Sequence, residues 1–336
     1  MNANKIKNAV IFKEVTLTMK HNKTILVITI FNALLALAGL VVVGAFALSA
    51  AAVSAISYTA ILWIYIGFVA AECLIIAFVV PALTAGTISG ERERQTLEVL
   101  LTTKMSTWQI IWGKYISAIL SVVLVIISAI PFMALVFIYG GIALWQMLAI
   151  AGIIILAAMY MAAFGIWFST LTKKTLTATV LSYLWMVILL SLSIGLPIAM
   201  CSSLSATNYL IYYNSNYVTT PDMLPVAPPL MLMYVNPLVT IFDAIGHIIG
   251  YTIDGETFKG MYQIVSALDI PGYKVLAVGF RFWTPISLMV QMAIAYGFLA
   301  WSANLLNPLR GNRAHLKQTK KAMKRMEKQS EAKSEK

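Results

Sequence analysis

Charge is scarce in this chain. Only 11% of its 336 residues are Asp, Glu, Lys or Arg, against about a quarter in an ordinary soluble domain. Hydrophobic residues make up 60%, and the mean hydropathy is +0.84. Length alone would allow two soluble domains; this composition excludes them and indicates a polytopic membrane protein. Cysteine is nearly absent. Cys73 and Cys201 form neither a disulfide framework nor a metal-ligand spacing, and both read as small buried apolar residues. No Gly-x-x-x-x-Gly-Lys-Ser/Thr run exists. Gly113-Lys114 is followed by Tyr115 at the start of an apolar span, so it is no phosphate loop. With no HExxH, cysteine cluster or Ser-His-Asp arrangement in a recognisable context, no catalytic residue is assigned and the chain reads as a non-enzyme.

Acidic residues are also few, 13 against 24 Lys and Arg, for a net charge of +11. On a soluble protein that excess could indicate nucleic acid. Here the basic residues flank apolar spans and no nucleic-acid motif accompanies them, so they report membrane topology and no nucleic-acid partner is expected.

A membrane helix needs about 20 mainly apolar residues, and six runs qualify: 25–51, 60–84, 114–139, 142–171, 176–200 and 283–306. The first is too long for a signal-peptide core and reads as an uncleaved span. Lys5, Lys7, Lys13, Lys20 and Lys23 precede it. Arg92, Arg94 and Lys104 lie between the second and third runs, Lys173 and Lys174 between the fourth and fifth, and a Lys-rich tail follows the sixth. With six spans these connections share one side, which the positive-inside rule makes cytoplasmic, together with both termini.

The expected fold is therefore all-α, with one transmembrane domain over 1–308 and a basic cytoplasmic tail over 309–336. Residues 1–24 form a cytoplasmic segment. Within it Ile11, Phe12, Val15 and Met19 make an apolar stripe suited to an interfacial helix. Residues 201–282 form an external helical insertion. Its apolar middle, 237–253, is interrupted by Asp243 and His247, and a seventh span there would place the basic tail outside. A short external or re-entrant helix fits better, with Asn236 as N-cap and Pro237 as first helical residue. Tyr209, Tyr212, Tyr213 and Tyr217 suit an interfacial aromatic belt. The tail suits anionic lipid.

The second-to-third connection, 86–112, is the unusual one. It is charged, yet it has helical periodicity: Leu97, Leu101, Met105, Trp108 and Trp112 fall on one face, and Glu91, Arg92, Glu93, Arg94 and Glu98 largely elsewhere. Ser106 and Gln109 form a capping box that opens the next helix, with a break at Thr102-Thr103. Either an amphipathic linker on the lipid surface or a docking helix for a cytoplasmic partner satisfies this pattern.

The run Ile88-Ser-Gly-Glu-Arg-Glu-Arg-Gln-Thr-Leu-Glu-Val-Leu-Leu-Thr-Thr-Lys-Met-Ser106, followed by Ile111-Trp-Gly-Lys114, resembles the hallmark of type-2 ATP-binding-cassette (ABC) transporter permeases. Two departures stand out. Gln95 replaces a common Gly, which should favour an unbroken helix, and Lys104 stands where Pro is common. The resemblance implies a membrane subunit of an ATP-driven transporter, most often an exporter, in the plasma membrane. It implies pairing with a second, identical or different, permease and with a separate ATPase that carries ATP and Mg, while this chain binds no cofactor or metal. It also implies that 91–101 is a coupling helix. Leu97, Leu100 and Leu101 would then give apolar contact, and Glu91, Arg92, Glu93, Arg94, Thr96 and Glu98 polar docking. The N-terminal stripe resembles these permeases' elbow helix.

Two further positions stand out. Glu72 lies in the middle of the second span, where a charge costs roughly 2.5–3.5 kcal/mol on insertion scales. It is either bonded to a Ser, Thr or Tyr of a neighbouring span or part of a translocation pathway. Asp243 and His247, four apart, can meet on one helix face; local pairing or an external vestibule fits them better than a metal, which needs more ligands. The other functional classes are an ion-coupled secondary carrier using Glu72, and a non-transporting membrane scaffold or signalling protein.

Overall fold

A computed structural model describes residues 22–53, 58–102, 105–138, 142–214, 230–249, 252–253, 256–257, 260–261 and 281–307. The apolar stripe at 11–19, Tyr217, most of the insertion and the tail lie outside these residues, as do the side chains of Tyr209, Tyr212 and Tyr213.

The described chain is helical. Its elements are α1 (Asn22–Val53), α2 (Tyr58–Thr84), α3 (Gly86–Glu93), α4 (Thr96–Thr102), α5 (Thr107–Ile138), α6 (Leu144–Leu171) and α7 (Thr175–Asn214). A 3-10 turn (Met231–Val235), α8 (Pro237–Ile249) and α9 (Trp283–Leu305) follow. The exception is a small antiparallel ladder of β1 (Thr252–Ile253) and β2 (Glu256–Thr257), paired Thr252 to Thr257 and Ile253 to Glu256. Long aliphatic runs form these helices because in hydrocarbon every backbone N–H and C=O must be satisfied within its own segment.

Five segments are long and apolar enough to cross a membrane: Trp63–Glu93, Thr107–Phe132, Leu144–Leu171, Thr175–Leu204 and Trp283–Leu305. They correspond to the second through sixth runs of the sequence. The first run lies in α1, whose shorter apolar stretch among the described side chains is Ile25–Val41. α8 has 13 residues, or about 20 Å of helix, too little to cross a hydrocarbon core of about 30 Å.

α6 is the centre of the packing. It touches α2, α3, α5, α7, α8 and α9, and Ile150, Ile154, Ala157, Ala162, Ala163 and Ile166 on it are fully or almost fully buried. Its small residues allow close approach. At Gly165, a side-chain carbon would collide with the Thr84 hydroxyl at the end of α2. By contrast, Leu176, Val180, Leu184 and Val187 leave an exposed apolar stripe along α7. Their spacing of four, four and three residues keeps them on one helical face.

Local signals set several helix starts. Ser106 N–H donates to Gln109 Oε1 at 3.1 Å and Gln109 N–H to Ser106 Oγ at 3.3 Å, closing the expected capping box before α5. Asn236 Oδ1 accepts from the N–H groups of Leu238 and Val239 at 2.9 and 3.4 Å, and Pro237 opens α8, again as the sequence indicates.

Candidate functional site

The charged island is two helices. Ala85 N–H donates to the Pro81 carbonyl at 2.9 Å, so α2 runs almost directly into α3. α3 then stops at Glu93, because Gln95 adopts a left-handed conformation with φ of +60°. The Gln95 and Arg94 amides donate to the carbonyls of Arg92 and Gly90, both at 3.1 Å. That closes the helix end, with Gln95 in the position where glycine is usual. The expectation of one helix over 91–101, favoured by Gln in place of Gly, is therefore corrected. Intrinsic propensity is a weak preference, and the chain reversal here overrides it. A non-glycine residue in this conformation costs about 1–2 kcal/mol. Gln95→Gly is expected to raise the stability of the purified protein by roughly 1 kcal/mol, read as a higher Tm; a lower Tm would mean that Gln95 makes a contact worth more than the strain.

The three charges of Glu91-Arg92-Glu93 are engaged within the chain. Arg92 donates to the carbonyls of Thr172 and Thr170 at 2.5 and 3.1 Å, at the C-terminal end of α6. Glu93 accepts from the Thr175 N–H and hydroxyl, both at 2.9 Å, at the start of α7. Glu91 pairs with Lys114 of α5 at 3.0 Å and also accepts from the Thr96 hydroxyl, which closes the turn between α3 and α4. Beneath them, Ser169 Oγ of α6 accepts from the N–H groups of Ile88 and Ser89 at 2.9 Å each.

The apolar face of the island also turns inward. Leu97 is buried, and Leu100, Leu101, Met105, Trp108 and Trp112 pack against the main core. Trp108 meets Trp112 and Tyr296 edge-on, with ring centroids 5.7 and 5.6 Å apart, fastening α5 to α9. Across α3 and α4 the exposed residues are Glu93, Arg94, Gln95, Thr96, Glu98, Val99 and Thr102; of these, Glu93 is turned to Thr175. Val99 is 68% exposed. The sequence pattern did not single it out, because it lies outside the Leu97–Leu101 stripe; its one signal was an aliphatic side chain on the charged face.

Glu72 is 1% exposed, on the buried side of α2. Its Oε2 has no hydrogen-bond partner, so the expected Ser, Thr or Tyr bond to that oxygen does not form. The buried Tyr65 hydroxyl of the same helix is itself without a partner. Removing an unsatisfied buried polar group recovers its desolvation penalty, about 1–3 kcal/mol. Glu72→Leu is therefore expected to raise Tm; a fall would show that the carboxyl is held by a group of comparable worth.

Asp243 and His247 meet on α8, with Nδ1 and Oδ1 3.4 Å apart. The stronger ties of Asp243 lead elsewhere. Its carboxylate accepts from the Met261 N–H at 2.8 Å, the Thr284 N–H at 3.1 Å and the Thr284 hydroxyl at 2.6 Å. It thus caps the start of α9, where the helix dipole favours an anion. Burial raises the Asp243 carboxyl above its usual range, against the opposing pull of these donors and His247. Gly260, at φ of +66°, lies so close that any side chain would strike Asp243 and His247. Asp243, His247, Arg281 and Thr284 line a cavity of about 660 Å³. Among the described residues, no three His, Cys, Asp or Glu side chains converge as metal ligands.

Several apolar helices of spanning length, joined by a charged two-helix crossing, define a multi-pass membrane protein. A family profile described as ABC-2 family transporter protein matches residues 9–296, and the chain belongs to that family. It is thus a membrane transport component, a permease subunit of an ABC transporter, and membership implies work with an ABC ATPase partner. No curated protein matches the chain.

Proposed function

We propose that this chain is the permease subunit of an ATP-driven exporter and receives work from a separate ATPase through α4. The observation that carries this reading is an outward face, Arg94 in the turn and Glu98 and Val99 on a short helix, suspended between two spanning segments. An exposed aliphatic side chain ringed by charges is the composition of a docking surface. In this reading Leu97, Leu100 and Leu101 root α4 in the membrane domain, while Arg94, Thr96, Glu98 and Val99 meet the partner.

The rest of the assembly follows the same logic. α1, with 32 residues, is about 48 Å long and supplies the sixth span. Both termini, α3, α4 and the α6–α7 turn are then cytoplasmic, and 201–282 is external. Residues 1–308 form one permease domain in the plasma membrane, with 309–336 as a tail against anionic lipid. ATP and Mg are bound by the ATPase, and this chain holds neither. A second permease, identical or different, completes the pathway, and the exposed stripe of α7 faces lipid or that subunit.

The test is purification of the tagged chain from its own membranes in mild detergent, with mass spectrometry of what accompanies it. An ATPase carrying a phosphate loop is expected. Its absence, with the chain folded, would overturn the reading and favour an ion-coupled carrier, for which the unpartnered oxygen of Glu72 is the motivating observation.

A further inference from the structure

The Arg92–Glu93 pair has a geometry that a partner contact does not need. Two adjacent, opposite charges on α3 reach the two helix ends that meet at a single turn. Arg92 lies on the carbonyl end of α6, and Glu93 on the amide end of α7. Each charge opposes the pole of the helix it touches. Reversing the order of the two residues would set each against a like pole. The guanidinium serves two carbonyls, one through each terminal nitrogen, and each carboxylate oxygen takes one Thr175 donor. Ser169, by accepting the Ile88 and Ser89 amides, fixes the α3 backbone to α6 independently of either charge.

We propose that Arg92 and Glu93 are positioning residues that tie α3 to the α6–α7 turn, so that a displacement of α4 is delivered to α6 and α7 together. This rests on the docking reading of α4. The physical reason is leverage through packed elements. α6 touches most of the other helices, so a shift of its end repacks the bundle, while α7 is the least buried of the five segments of spanning length among the described residues and has the least packing to resist tilting. Glu91 completes the arrangement by holding α5 through Lys114. The motif thus works inward, as a three-way tie of α5, α6 and α7, and the partner reads the following helix.

The test uses the complete complex with its ATPase in lipid nanodiscs. Spin labels are placed at two exposed positions, Val187 on α7 and Met289 on α9, with Cys73 and Cys201 replaced by Ala. The distance between labels is measured without nucleotide and after trapping with ATP and vanadate. The otherwise wild-type chain is expected to show a nucleotide-dependent shift. Arg92→Ala with Glu93→Ala is expected to retain the ATPase and its hydrolysis but lose the shift, and Arg92→Lys with Glu93→Gln to restore part of it. Thr175→Val, which deletes one of the two donors to Glu93, is the milder variant should the double replacement fail to fold; it is expected to reduce the shift with full ATPase retention. An undiminished shift in a folded variant would overturn the proposal. So would loss of the ATPase from a folded variant, because the pair would then be a partner contact. A wild-type chain that retains no ATPase would overturn the docking reading and this one with it.

Discussion

Asp243→Ala is expected to cost about 3 kcal/mol of stability, since three donors lose their acceptor and an orphaned buried group costs about 1–3 kcal/mol, the buried Met261 amide most and the half-buried Thr284 donors less. Those donors are the Met261 amide and the amide and hydroxyl of Thr284. The loss is structural in a specific sense: one carboxylate joins α8, the 260–261 segment and the first turn of α9. Asp243→Asn is expected to cost less. Its side-chain carbonyl still accepts from one of the donor sets, so fewer donors are orphaned. Thermal unfolding of the detergent-purified protein checks both. Equal and small effects from Ala and Asn would show that water replaces the carboxylate without cost, and would remove Asp243 from the architecture. Gly260 belongs to the same prediction, because only a residue without a side chain fits against this pair.

The second large effect is on association. Val99→Arg is expected to leave folding and Tm unchanged, because the side chain is 68% exposed, yet to weaken ATPase binding by at least about 2 kcal/mol, the scale of an interface hot spot. That corresponds to a fall of roughly 30-fold in affinity, readable by titrating purified ATPase onto immobilised permease. Leu97→Arg makes the informative contrast. Leu97 is buried in the core, so this change is expected to reduce folded yield and Tm. Binding that survives Val99→Arg but fails with a folded Leu97→Arg chain would move the docking face to the opposite side of α4.

The sequence made spans and helix starts legible because both depend on local chemistry. Twenty apolar residues can satisfy their backbone in lipid only as a helix, and Ser106, Gln109, Asn236 and Pro237 act within four residues of themselves. What it did not disclose depends on partners distant in the chain. Arg92 and Glu93 meet residues about 80 positions away, and a charged pair on a periodic helix looks the same whether it faces solvent, a partner or a neighbouring turn. Gln95 misled for a related reason: its propensity favours helix, and the left-handed turn becomes necessary only because α3 and α4 must both pack on the same bundle. Asp243 was paired with His247 by spacing, whereas Thr284, 41 positions away, holds it more closely.

A division of labour follows within the island. Glu91, Arg92 and Glu93 bond within the membrane domain and Leu97, Leu100 and Leu101 pack on its core, so in the proposed reading the exposed arc of Arg94, Thr96, Glu98 and Val99 is what meets the ATPase. Compared with a helix that docks along its whole length, the proposed arc would make binding sensitive to few substitutions and would leave transmission to residues that do not touch the partner.

The most direct measurement is vanadate-sensitive ATP hydrolysis co-eluting with the tagged permease on size exclusion, compared between wild type and Val99→Arg at equal folded amounts. Activity that elutes with wild type and is lost with Val99→Arg is the predicted result. No activity with wild type, or equal activity with both, would contradict the assignment of α4 as the place where this membrane subunit receives its work.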